Sequence, residues 1–117
     1  MTPIHAAMAM LRRLLLVIML GIAASLLSSA LQGTVPGMCP NVIGERPCAL
    51  VAGGWPVRYI VDVPGISVEG SVNLFSAIGD AEDRFLVEAW ILDVVFWSLL
   101  FVCLWSVWRR ARLGSKP

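Results

Sequence analysis

The 117-residue chain has one histidine, His5, and that scarcity limits its chemistry. One imidazole near the start cannot complete a Ser-His-Asp set in the middle of the chain, ligate haem within an apolar stretch, or build a zinc site with distant cysteines. The three cysteines include no Cys-x-x-Cys redox spacing, and no glycine-rich phosphate loop is present. Charged residues are also scarce, at 15%, against about 25% in a soluble domain. A net charge of +1 points to no nucleic-acid partner. These absences predict a protein that is not an enzyme and holds no metal or cofactor.

The chain is instead rich in apolar side chains, at 58%, gathered in two blocks. The first, residues 14–31, is 18 residues without a charge. As a helix it measures about 27 Å, close to the hydrocarbon thickness of a bilayer. The second runs over residues 85–108, with Trp90 near one end and Trp105 and Trp108 near the other, as interfacial tryptophans stand. All eight acidic residues fall between Glu45 and Asp93, whereas Arg12, Arg13, Arg109, Arg110 and Arg112 flank the blocks on their far sides. Arginines beside a span are held on the cytoplasmic side. The pattern predicts a membrane α fold, a two-helix transmembrane hairpin with a small extracytoplasmic loop. Residues 1–13 form a cytoplasmic N-terminus, 14–31 the first span, 32–80 the outer loop, 81–110 the second span and 111–117 a cytoplasmic tail. A second reading stays open: a basic start, an apolar run and Ser28-Ser29-Ala30 also suit a cleaved signal peptide, which would leave an exported protein anchored by one span.

The outer segment carries most of the glycine and proline, which argues against long helices there. Cys39 and Cys48 are disulfide candidates in an oxidising compartment, with two free thiols as the alternative. Closing this ring stabilises the loop by about 2.5–3 kcal/mol in the chain-entropy model. From Trp55 to Val63 the odd positions are Trp55, Val57, Tyr59, Val61 and Val63, and the even ones include Arg58 and Asp62. After Pro64-Gly65 the apolar residues occupy even positions: Ile66, Val68, Val72 and Leu74. This alternation predicts a β-hairpin near 55–74, turning at Pro64-Gly65. Asp80 suits a helix N-cap, with Glu82 and Asp83 in the first turn of a helix from Ala81 to Arg110.

Polar groups inside the apolar blocks are the candidates for function. Asp93 stands about 6 Å into the hydrocarbon if that region begins at Ala89, and an ionisable group there is costly. Gly21, Ser25, Ser28 and Gln32, at spacings of four, three and four, share one helix face. In an antiparallel hairpin Ser25 and Ser28 lie near the level of Asp93. The carboxyl can therefore bond these serines and lock the helices, contact another subunit, or serve proton or ion movement. Glu88 is expected to be solvated, and Cys103 to be a small packing residue.

Gly54-Trp55-Pro56 and Leu92-Asp93-x-x-Phe96-Trp97 together resemble a pattern found among small prokaryotic two-span membrane proteins of uncharacterised role. The resemblance implies a prokaryotic cytoplasmic (inner) membrane and a two-span hairpin, and transfers no catalytic residue. The chain is thus expected to be an accessory or assembly subunit of a larger membrane complex. Its partners would be the lipid bilayer and other membrane subunits or copies of itself. The rivals are a self-assembling pore or transporter component and a receptor with a ligand-binding loop.

Overall fold

A computed structural model describes residues 2–63, 72–74, 77–78 and 83–115. Two long apolar helices are joined by a small antiparallel sheet that carries a disulfide. Helix α1 spans Pro3–Ser28, with a mean hydropathy of 2.1 over its most apolar window, and α2 spans Val87–Gly114, at 2.0. By length and composition both can cross a membrane.

Proline opens α1 at a position where no helical N–H is needed. The helix closes where serines replace leucines. Ser28 Oγ and Ser29 Oγ donate to the carbonyls of Ser25 and Leu26, while the amides of Ser29, Ala30 and Leu31 tighten into a final i→i−3 turn. The helix therefore stops at Ser28, short of the end of the apolar block, and begins well before it. Gly21, Ser25 and Ser28 are its buried residues, and its leucines and methionines face outward.

The sheet has the order β1-β2-β3-β4, with β1 at Gln32–Asn41, β2 at Gly44–Gly53, β3 at Ile60–Val61 and β4 at Arg84–Phe85. The first two strands form a hairpin whose loop is Val42-Ile43, closed by the Asn41↔Gly44 pair. Gly44 sits at φ +136°, a conformation suited to glycine. In an antiparallel ladder closed this way, the paired amides fall on odd positions of β1 and even positions of β2. Pro36, Pro40 and Pro47 occupy the other positions, where no ladder N–H is required. Proline is tolerated on such an edge and discourages pairing with another chain.

This hairpin is not the one the alternation predicts. From the expected strand at 55–63 only Ile60–Val61 is extended into the sheet, and its partners are β2 and β4. The turn at Pro64-Gly65, with Ile66 and Val68, lies outside the described residues. Two features divert the chain before β3. Gly54 takes φ +110° and Trp55-Pro56 is cis, and the amide of Val57 is engaged by a helix side chain. The second helix also begins later than expected. Asp80, Ala81 and Glu82 lie outside the described residues, but Arg84 and Phe85 are strand, so α2 starts at Val87 and runs on to Gly114. Asp83 is buried, and its Oδ2 accepts from the amide of Asn73, 3.0 Å away, rather than capping the helix.

A small core ties the sheet to the start of α2. Tyr59, Ile60, Val72 and Ala77 are buried, with Val51, Leu74, Phe85, Ala89 and Trp90 around them. Ring contacts step from Tyr59 to Phe85, 5.6 Å between centroids, and from Phe85 to Trp90, 5.9 Å.

Candidate functional site

Asp93 is fully buried where the helices meet the sheet, and three groups approach its carboxyl, two of them as donors, since the Ser28 hydroxyl spends its one hydrogen on the Ser25 carbonyl. Ser25 Oγ donates to Oδ2 at 2.6 Å, and Ser28 Oγ lies 3.3 Å from the same oxygen. The backbone amide of Val57 donates to Oδ1 at 3.2 Å. Helical spacing explains the first two: three residues separate Ser25 from Ser28, so both face the same side of α1. The third is supplied by the diverted chain between Gly54 and β3. A buried carboxyl without such partners would cost several kcal/mol.

The donors are themselves held. Ser28 Oγ accepts from the amide of Trp55 at 3.2 Å. The hydroxyl of Tyr59 donates to the carbonyl of Ser25 at 2.5 Å, using an oxygen near the helix end. Trp97, one turn beyond Asp93, donates its indole N–H to the carbonyl of Trp55 at 2.9 Å, and the Trp55 ring packs against Phe96 and Trp97. Arg58 adds a brace outside the cluster, donating to the carbonyls of Leu31 at 2.6 Å and Gly54 at 2.5 Å. Burial pushes the Tyr59 hydroxyl above its usual pKa of 10; hydrogen bonding with the nearby serines partly offsets this, and the charge of Asp93 adds to the rise.

Below the cluster the helices touch closely. A Cβ on Gly21 would press on Ser98 Oγ and stand 3.1 Å from the carbonyl oxygen of Val94. Ser106 turns its hydroxyl to the Val102 carbonyl of its own helix, 2.8 Å away. Glu88 is exposed in the first turn of α2. Cys103 is free and exposed on α2. Gln32 has left the helical face and donates from Nε2 to the carbonyl of Val72 at 3.0 Å.

Cys39 and Cys48 are joined, with their Cα atoms 5.8 Å apart. In the ladder Cys39 faces Arg46 and Cys48 faces Gly37, so the bridge crosses the ribbon diagonally. Among the described residues, no group of three or more His, Cys, Asp or Glu side chains could hold a metal ion. Arg12, Arg13, Arg109, Arg110 and Arg112 are exposed at the helix ends remote from the sheet, and Arg112 lies over the Trp108 ring, 3.9 Å from its centroid.

Searches of known protein families, characterised proteins and solved structures find no match to the chain. The functional reading therefore rests on the junction itself. Spacing singled out Asp93, Ser25 and Ser28, and the structure brings all three together. Tyr59, Trp97 and the amides of Trp55 and Val57 complete the cluster. Of these, Trp55 and Trp97 stand in the motifs that carry the resemblance and Tyr59 is the sole tyrosine, whereas the bonding of the Trp55 and Val57 amides has no sequence signal.

Proposed function

We propose that the chain is a non-enzymatic inner-membrane protein that crosses the bilayer twice. Both termini lie in the cytoplasm and the disulfide-bearing sheet lies outside. Its role is that of an accessory or assembly subunit of a larger membrane complex. The observation that carries this reading is the burial of Asp93 with each carboxyl oxygen engaged: Ser25 donates to one and the Val57 amide to the other, so its chemistry is spent on joining α1, α2 and the sheet. What remains for others is the apolar outside of both helices and the surface of the outer module. The resemblance of Gly54-Trp55-Pro56 and Leu92-Asp93-x-x-Phe96-Trp97 to small prokaryotic two-span proteins agrees with this.

A pore or transporter component needs a polar path along the spans. Asp93 is fully buried, and Ser106 is turned onto its own helix, which weighs against one. A cleaved signal peptide would remove Ser25, Ser28 and the carbonyl that Tyr59 bonds, leaving the junction without half its partners. Extraction in a mild detergent, followed by native sizing and identification of companions, tests the proposal. Foreign membrane subunits should travel with the chain, and a clean monomer without companions would overturn the accessory role.

A further inference from the structure

Toward the arginine-bearing end, α1 and α2 line a groove of about 530 Å³. It is lined by Leu16, Val17 and Leu20 from α1 and Trp105 from α2, and each helix adds one arginine, Arg13 and Arg109. The volume lies within the range of ligand pockets. Its character changes along its length, with two cations at the rim and an apolar floor leading toward the middle of the helices. The chain has no acidic side chain before Glu45 or after Asp93, so neither helix brings a carboxylate to this end. Arg112 is taken up by the face of Trp108.

We propose that this groove seats one anionic phospholipid, its phosphate between Arg13 and Arg109 and an acyl chain along Leu16, Val17, Leu20 and Trp105. The proposal rests on the membrane reading given above. Charge complementarity selects the occupant. Two guanidiniums without a side-chain counterion call for a phosphate, and an apolar floor directly beneath them calls for a chain attached to it. A zwitterionic lipid would bring its own ammonium to the same rim. Basic recesses between spanning helices at the cytoplasmic side suit anionic head groups for this reason.

The full chain in mild detergent, equilibrated with equimolar phosphatidylglycerol and phosphatidylethanolamine, would be examined by native mass spectrometry. One phosphatidylglycerol should be retained in preference. The R13Q/R109Q pair should weaken that retention about thirtyfold. R13K/R109K should keep most of it, and R12Q/R110Q, which spares the groove, should keep it too. Leu20→Trp fills the floor without touching charge and should also reduce retention, so the proposal stays open to test should R13Q/R109Q not fold. Equal retention of the two lipids, or equal loss in R12Q/R110Q and R13Q/R109Q, overturns the lipid seat and leaves the membrane reading intact. A chain that stays soluble without detergent overturns the membrane reading itself.

Discussion

At the scale of single residues, hydroxyl rotation decides how much the junction tolerates. Asp93→Asn keeps one acceptor for the Val57 amide and presents an NH₂ to Ser25 and Ser28, whose hydroxyls can turn to accept it. The substitution should cost about 1–2 kcal/mol. Asp93→Leu strands the Ser25 hydroxyl and the Val57 amide and should cost about 3 kcal/mol or more. Thermal unfolding in detergent would order the two. Ion flux into vesicles adds a separate readout: loss of flux in Asp93→Asn, with assembly intact, would favour the transport reading over the structural one. Tyr59 offers a second test. Its folded-state pKa is raised, so the fold favours the neutral phenol. That preference costs nothing below pH 10, and stability falls as pH rises beyond the unfolded value toward the folded one. With one tyrosine in the chain, phenolate absorbance reports this group alone. It should emerge above pH 10 in the native protein and at about pH 10 after denaturation.

At the scale of elements, the helices and the serine face were legible and the sheet was not. Long apolar runs flanked by arginine leave few alternatives, and the four-three spacing of Gly21, Ser25 and Ser28 is a helical period. The β1–β2 hairpin carries the opposite of the usual signals. Val42-Ile43 occupies a two-residue loop where Asn-Gly is expected, and Pro36, Pro40 and Pro47 sit inside its strands, permitted only because of where the ladder's amides point. The alternation over 55–63 was real, but Gly54 and the backbone bonds to α2 spend half that segment on the junction, and backbone amides leave no mark on a sequence. Two element-scale outcomes follow from the geometry. Gly21→Ala would push α1 from Ser98 and Val94, at about 1–3 kcal/mol; Ser98→Ala should recover part of that loss in a double-mutant cycle by thermal unfolding. Cys39→Ser with Cys48→Ser should cost about 2.5 kcal/mol, and hydrogen exchange should quicken in β1 and the first half of β2 while both helices hold their protection.

At the scale of the whole molecule, the sheet is too small to stand without the helices. Among the described residues its core cluster is Tyr59, Ile60, Val72 and Ala77, two of its strands are two residues long, and an isolated ribbon is marginal in water. Both helices add support: from α1 the Ser25 carbonyl holds Tyr59 and Ser28 holds the Trp55 amide, and from α2 Asp93 holds the Val57 amide and Trp97 the Trp55 carbonyl. The first helix therefore acts as part of the sheet's fold. If so, intact-mass measurement of the membrane-extracted protein should find residues 1–30 present. Replacing them with an unrelated cleavable leader should deliver a product whose segment 54–61 exchanges freely and whose Tyr59 titrates near pH 10. A shortened product that keeps both the slow exchange and the raised Tyr59 pKa would mean that α2 and the disulfide suffice, and the three-way junction at Asp93 would lose its claim to hold the molecule together.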